Sequence, residues 1–199
     1  MGMTYGQKMA EIGTAKQLIL HKSVVLVGMM GAGKTAVGRT VAETLGVPFC
    51  DSDHEIEAAA NMTIAEIFER DGEAFFRRKE SQVIERLLAG TPGIVSTGGG
   101  AFMNPDNREM ISSAGVSVWL NAPLDLLWQR VRHKETRPLL RTSDPLGTLR
   151  GLYETRVPVY ALADLEVPSA HGLSLEAMAR RVIGILADAR PDVLETRHD

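Results

Sequence analysis

The chain has 199 residues, of which 44% are hydrophobic and 24% charged, values typical of one compact domain rather than of a disordered or fibrous chain. The formal net charge of −3 gives no reason to expect nucleic acid or an anionic membrane as a partner, and aromatic residues, at 5%, offer little surface for stacking on bases. The sequence shows neither a signal-peptide core nor an apolar run of membrane-spanning length, and Cys50 is its single cysteine, so we expect a cytoplasmic protein.

Strands and helices are predicted to alternate from residue 23 onward. A β-branched run over 24–27 predicts a buried strand, and apolar residues at every fourth position over 34–45 predict a helix that ends at Gly46. Further strands are predicted at 47–50, 93–97, 116–120 and 165–167. Further helices are predicted at 63–71, 73–89, 105–114, 123–131 and 149–162, with a last one after Ser174.

This alternation predicts a parallel sheet with helices on both faces and right-handed crossovers, which is an α/β fold. We assign residues 23–190 to a single domain, because no repeat or second boundary interrupts the pattern. Residues 1–22 are predicted to be a leader outside the core, and residues 191–199 a polar, frayed tail.

A phosphate-binding motif lies between the first predicted strand and helix. Residues 28–35, GMMGAGKT, match G-x-x-x-x-G-K-[ST] at each fixed position. In such a loop, backbone N–H groups and a helix N-terminus surround phosphate oxygens, the lysine (Lys34) reaches the β- and γ-phosphates, and the Thr35 hydroxyl ligates Mg²⁺. A chance match arises in roughly one chain of this length in a hundred, given average residue frequencies. The motif therefore predicts nucleotide binding, but it says little about the reaction.

Two carboxylates follow the second predicted strand, at Asp51 and Asp53. Ligands of open parallel sheets bind beyond the carboxyl ends of the strands, so these side chains are candidates for the acceptor site. One carboxylate could hold Mg²⁺ through water while the other accepts a hydroxyl proton. The three residues 51–53 alone are equally compatible with a solvated turn.

Two other segments are candidates for substrate contacts. Arg77 lies in the charged helical stretch 76–80, four residues after Glu73, and this spacing favours a solvated ion pair over an anion clamp. Gly98, Gly99 and Gly100 directly follow a predicted buried strand. Such a position favours close approach of a ligand to the backbone over a merely flexible turn.

A basic segment over about 132–148 is predicted to be a mobile lid. Basic residues are concentrated between Arg130 and Arg141, in an otherwise acidic chain. The alternative is a solvated basic loop. The phosphate-binding motif favours the lid, because arginines that close over a transferring phosphoryl group stabilise its developing charge.

These motifs, in this order, resemble the shikimate kinase family. They are GMMGAGKT (28–35), DSD (51–53), FRRKE (76–80), STGGG (96–100), RPLL (137–140) and RVPVY (156–160), and the resemblance covers about residues 22–190. It implies a P-loop kinase fold with five parallel strands in the order 2-3-1-4-5 and a mobile lid. It also implies that the protein uses ATP and Mg²⁺ to phosphorylate the 3-hydroxyl of shikimate, in the formation of chorismate and the aromatic amino acids. Separately, we expect the protein to be a monomer.

The resemblance further implies roles for individual residues, with Lys34, Asp53 and Arg137 as the catalytic set. Asp53 would contact the acceptor hydroxyls and could act as the base. The residues implied to bind ATP are Gly31, Ala32, Gly33, Lys34, Thr35, Ala36, Arg130 near the adenine and Arg137 in the lid. Those implied to bind shikimate are Asp53, Arg77, Gly99, Gly100 and Arg156, and those implied to bind Mg²⁺ are Thr35 and Asp51.

Two rival functions stay open at this point. Another small-molecule kinase on the same scaffold, such as a gluconate kinase, would also need arginines for an anionic substrate, although FRxxE with GGG favours shikimate. A nucleotide-gated binding module would use the phosphate loop as a switch and transfer nothing. The acceptor residues beside the loop argue against such a module.

Overall fold

The computed structural model describes residues 17–132, 138–140 and 142–197. Within them the chain forms seven β-strands, seven α-helices and two short 3-10 helices. The strands are β1 (Gln17–Leu20), β2 (Ser23–Val27), β3 (Phe49–Asp51), β4 (Ile94–Ser96), β5 (Gly115–Asn121), β6 (Leu165–Pro168) and β7 (Leu194–Arg197). The α-helices are α1 (Lys34–Leu45), α2 (Ser52–Ala60), α3 (Ile64–Leu88), α4 (Pro105–Ala114), α5 (Leu124–Val131), α6 (Pro145–Tyr160) and α7 (Leu175–Ala189), and the 3-10 helices are Ala101–Met103 and Pro138–Leu140.

Five of the strands form a parallel sheet in the order β3-β4-β2-β5-β6. Numbered within this sheet, the order is 2-3-1-4-5, which confirms the predicted fold. All residues of the central strand β2 are buried, as expected for a strand that helices cover on both faces. Because the strands are parallel, β2, β3 and β4 end at one edge of the sheet, where the segments 28–35, 51–53 and 97–100 begin.

Helices α2 and α3 form a smaller layer with its own apolar cluster of Ile56, Ile67 and Phe76. The sequence did not predict α2, because its residues, SDHEIEAAA, place few apolar side chains on one face. Asp51 caps this helix by accepting hydrogen bonds from the backbone N–H groups of the second and third residues that follow it. The predicted break at Gly72 is confirmed by its left-handed φ of 80°, which bends α3 into two halves.

The C-terminal part of the segment predicted to be a lid belongs to a helix. Helix α6 begins at Pro145, since Asp144 caps it by accepting from the Gly147 N–H, so the end of the 132–148 segment is helical. Residues 133–137 and 141 lie outside the described part of the chain. Among the described helices, none is long and apolar enough to cross a membrane.

The two ends of the described chain form a second sheet, in which β1 pairs antiparallel with β7. The prediction of a frayed tail over 191–199 is therefore wrong for 193–197, where Val193 and Leu194 are fully buried. The predicted leader likewise contains a strand at 17–20. Both strands are short and β7 is mostly polar, so neither shows enough alternation of apolar and polar residues to be predicted from its own sequence.

Candidate active site

The phosphate loop joins β2 to the N-terminus of α1 and has the backbone geometry its motif requires. Gly31 and Gly33 adopt left-handed φ angles of 82° and 94°, which side-chain-bearing residues rarely adopt. At Gly31 a Cβ would also lie 2.7 Å from the Val131 Cγ1 atom. The loop can therefore turn its N–H groups toward an anion at the helix N-terminus, which fits the phosphates of a nucleotide.

Two cationic side chains contact this loop. The buried Lys34 ammonium donates to the carbonyl oxygens of Gly28 at 2.8 Å and Met29 at 3.1 Å, so it lies across the loop. The Arg130 guanidinium, which projects from α5, donates to the carbonyl oxygen of Gly31 at 3.1 Å. Positive charge thus meets the loop from α1 and from α5, where phosphate oxygens would need it.

A pair of hard oxygen ligands lies beside the loop. The Thr35 hydroxyl donates to Asp51 Oδ2 at 2.9 Å and lies 3.3 Å from the Ser96 hydroxyl. Mg²⁺ prefers such oxygens and usually takes one or two protein ligands together with phosphates and water. The described residues contain no cluster of three or more acidic, histidine or cysteine side chains that could hold a metal ion. Thr35 and Asp51 therefore fit a cation that is shared with nucleotide phosphates.

Two carboxylates converge on Gly98, just past β4. A Cβ at Gly98 would lie 2.7 Å from Asp53 Oδ1 and 3.2 Å from Glu80 Oε1. Glu80 is only 1% exposed, and burial raises the pKa of its carboxyl, while Arg77 acts to lower it and Asp53 to raise it. Within the described residues, Glu80 Oε1 has no hydrogen-bond partner. A buried acceptor of this kind is compatible with a polar ligand or water at the site.

Arg77 approaches the next glycines from α3. Its guanidinium donates to Glu80 Oε2 at 2.7 Å and to the exposed Glu73 at 3.2 Å, so the ion pair expected from sequence spacing is present. It also lies against Gly100, where a Cβ would be 2.5–2.7 Å from three guanidinium atoms. Burial acts to lower the pKa of Arg77, but the two glutamates outweigh it and raise the pKa above its ordinary value.

Arg156 and Tyr160 approach the same turn from α6. A Cβ at Gly99 would lie 3.2 Å from a guanidinium nitrogen of Arg156 and 3.5 Å from the Tyr160 hydroxyl. That hydroxyl donates to the Gly99 carbonyl oxygen at 2.5 Å. Arginines from two helices therefore flank two successive glycines, an arrangement that fits a small carboxylate held by guanidinium and backbone groups.

The site gathers most of the residues assigned from the sequence and adds others. The residues assigned to nucleotide binding lie together in the phosphate loop and at the start of α1, and these are Gly31, Ala32, Gly33, Lys34, Thr35 and Ala36. Arg137 lies outside the described residues. Sequence reasoning gave no role to Glu80, Ser96 or Tyr160, although all three stand in the quoted motifs FRRKE, STGGG and RVPVY. Each looks like an ordinary helix or strand residue until the fold brings it to the glycine turn or to Thr35.

Known proteins are similar to this chain over most of its length. A family model described as "Shikimate kinase" matches residues 30–187. The protein named "Shikimate kinase" from Ruegeria pomeroyi is 68% identical over 176 residues, which make up 88% of this chain and 90% of that protein.

Solved structures agree with this result. The shikimate kinase from Acinetobacter baumannii in complex with shikimate has a TM-score of 0.80 and 38% identity, and the match covers 85% of this chain and 94% of that one. A gluconokinase from Sinorhizobium meliloti 1021 has a TM-score of 0.57 and 20% identity, covering 86% of this chain and 94% of that one. At that identity the likeness extends to the fold alone.

Proposed function

The chain belongs to the shikimate kinase family, and from that premise we propose that it transfers the γ-phosphoryl group of ATP to the 3-hydroxyl of shikimate. The products are shikimate 3-phosphate and ADP, in the formation of chorismate and the aromatic amino acids. The observation that carries the proposal is the approach of Arg77 and Arg156 to the adjacent glycines Gly100 and Gly99, beside Asp53. A relative solved in complex with shikimate supports this choice of acceptor.

On the nucleotide side, the chain supplies positive charge and backbone donors. Residues 31–36 would cradle the phosphates, and the Lys34 ammonium would move from the loop carbonyls to the β- and γ-phosphates. Arg130, which bonds to the Gly31 carbonyl, would lie near the adenine. Thr35 and Asp51 would hold Mg²⁺, which when bound neutralises charge on the phosphates. Arg137, which lies outside the described residues, would bring a further charge from the lid.

On the acceptor side, the chain holds an anionic ring against the phosphoryl group. Arg77 and Arg156 bind the carboxylate of shikimate, and the backbone of Gly99 and Gly100 adds contacts beneath it. Asp53 orients the 3-hydroxyl. As the hydroxyl oxygen bonds to the γ-phosphorus and the bond to the ADP oxygen breaks, the hydroxyl proton passes to the Asp53 carboxylate.

We also propose that the protein is a monomer in the cytoplasm. Asp53, Arg77 and Arg156, which approach the glycine turn, come from α2, α3 and α6 of the same chain, an arrangement compatible with a monomer. A single cysteine suits a reducing compartment.

The test is ADP release from ATP and Mg²⁺ with shikimate, with gluconate and with no acceptor. We expect release that depends on shikimate and is at background with gluconate or without acceptor. The Lys34→Ala variant, purified in the same way, reports any contaminating kinase. Preference for gluconate would favour the related kinase, and release without an acceptor, or no release at all, would contradict phosphoryl transfer to shikimate.

A further inference from the structure

Tyr160 is a buried polar side chain to which the proposed reaction gives no task. It is the last residue of α6 and is fully buried, and its ring centroid lies 6.5 Å from that of Phe102 and 6.3 Å from that of Trp119, with the ring planes tilted by 20° and 24°. Its hydroxyl nonetheless points to the glycine turn, where it donates to the Gly99 carbonyl oxygen at 2.5 Å. Burial raises the pKa of Tyr160 to about 12, so this hydroxyl stays a hydrogen-bond donor at neutral pH.

Arg156 lies one helical turn before Tyr160, so both side chains project from the same face of α6. Both lie close to the position that a Cβ atom on Gly99 would occupy, which is 3.2 Å from a guanidinium nitrogen of Arg156 and 3.5 Å from the Tyr160 hydroxyl oxygen. The Arg156 guanidinium also interacts with this hydroxyl through its charge. The hydroxyl thus contacts the Gly99 backbone and lies close to the arginine proposed to meet the substrate carboxylate.

We propose that Tyr160 is a positioning residue for the acceptor carboxylate, because its hydroxyl fixes the Gly99 carbonyl and supports the Arg156 guanidinium. The inference rests on the proposed function and assigns a residue to carboxylate recognition at that same site.

The peptide bond explains how one hydroxyl can act on the binding surface. Because a peptide is planar and trans, fixing the Gly99 carbonyl also fixes the Gly100 N–H, which points to the opposite side of the same plane. Glycine peptides in a turn otherwise rotate easily. Tyr160 therefore sets the orientation of a backbone donor as well as the place of Arg156.

The Tyr160→Phe substitution tests this role, since phenylalanine keeps the stacked ring and removes only the hydroxyl. We expect the KM for shikimate to rise about 5- to 10-fold, the effect of one lost hydrogen bond, and the KM for ATP to change less than about twofold. Tyr153→Phe is the matched control on the same helix. Tyr153 packs at the edge of the main core, and its variant should keep both constants.

A double-mutant cycle with Arg156→Lys separates positioning from simple stabilisation of the fold. If Tyr160 acts through Arg156, the combined loss in kcat/KM for shikimate will be smaller than the product of the two single losses. Independent effects that multiply, or an unchanged KM for shikimate in Tyr160→Phe, would overturn the inference. So would loss of ATP binding or of the thermal unfolding transition in Tyr160→Phe, since the hydroxyl would then serve the fold. Wild-type protein without shikimate-dependent ADP release would instead refute the proposed function.

Discussion

Replacing Gly100 by alanine should move Arg77 without disturbing the backbone. Gly100 has φ −92° and ψ −19°, a conformation that alanine adopts readily, so the substitution introduces no backbone strain. Its Cβ would lie 2.5–2.7 Å from three guanidinium atoms of Arg77, whereas ordinary contacts begin at 3.4 Å. The guanidinium must therefore retreat by about 0.7–0.9 Å.

This displacement should reduce the stability of the fold only slightly but should weaken shikimate binding strongly. The guanidinium is the end of a flexible side chain, and an altered rotamer costs about 0.5–1.5 kcal/mol. In contrast, when a group that positions the substrate is shifted by about 1 Å, kcat/KM can fall by up to about 100-fold. We expect Gly100→Ala to raise the KM for shikimate about 10- to 100-fold, in the same direction as Arg77→Ala, and to leave the KM for ATP within about twofold.

The assay is ADP release at saturating ATP with shikimate varied, together with thermal unfolding of each variant. Gly151→Ala is the matched control, because Gly151 lies in α6 with nothing within 4 Å of its would-be Cβ. That control should keep both KM values and raise the free energy of unfolding by about 0.5–1 kcal/mol. An unchanged KM for shikimate in a folded Gly100→Ala protein would refute the placement of the acceptor beside Gly100 and Arg77.

Other perturbations test the remaining parts of the molecule. Lys34→Ala should lower kcat at least ~100-fold, as loss of an electrostatic donor does, and near-normal turnover would contradict its role. Glu73→Gln should lower the KM for shikimate up to about fivefold, because it removes an exposed carboxylate that competes with the shikimate carboxylate for the Arg77 guanidinium. A higher KM would contradict this explanation. Leu194→Ala should cost about 2–5 kcal/mol in urea unfolding with both KM values kept, and a cost below about 1 kcal/mol would exclude a stabilising role of the terminal sheet. Arg190 holds the pKa of the Asp192 carboxyl well below its usual range, so this pair stabilises the fold at neutral pH and weakens as pH falls below about 4. Asp192→Asn should therefore reduce the acid dependence of the unfolding temperature, and an identical pH profile would exclude the contribution.

The sheet and the phosphate loop could be predicted because their signals are local. A β-branched run followed by G-x-x-x-x-G-K-T marks β2 and α1 without knowledge of any other segment, and the alternation of elements then fixes the parallel sheet. Helix α2 depends on a cap at Asp51 and on packing of Ile56 against α3, which the spacing of its own residues does not reveal. The terminal sheet needs pairing between segments more than 170 residues apart, and no local pattern encodes that register.

The residues of the acceptor site were harder to predict from the sequence, and Arg77 shows why. Its spacing from Glu73 predicts a surface ion pair, and that pair exists, so the prediction from spacing was correct but incomplete. What the spacing could not reveal is that α3 passes the end of β4, which brings the same guanidinium to Gly100. The sequence likewise could not reveal that Arg156 and Tyr160 lie beside Gly99, because this depends on α6 reaching the same turn.

The two carboxylates bound to Arg77 differ in burial, and this difference decides which one a substrate can replace. The Glu80 side chain is 1% exposed and Glu73 is 65% exposed. Removing one partner of a buried pair leaves an uncompensated charge and costs several kcal/mol, whereas an exposed pair is worth about 1 kcal/mol or less. A shikimate carboxylate would therefore displace Glu73 and leave Glu80 in place as the group that orients the guanidinium. The charged helix face seen in the sequence would then have two functions, since Glu80 would orient the arginine and Glu73 would give up its place to the substrate.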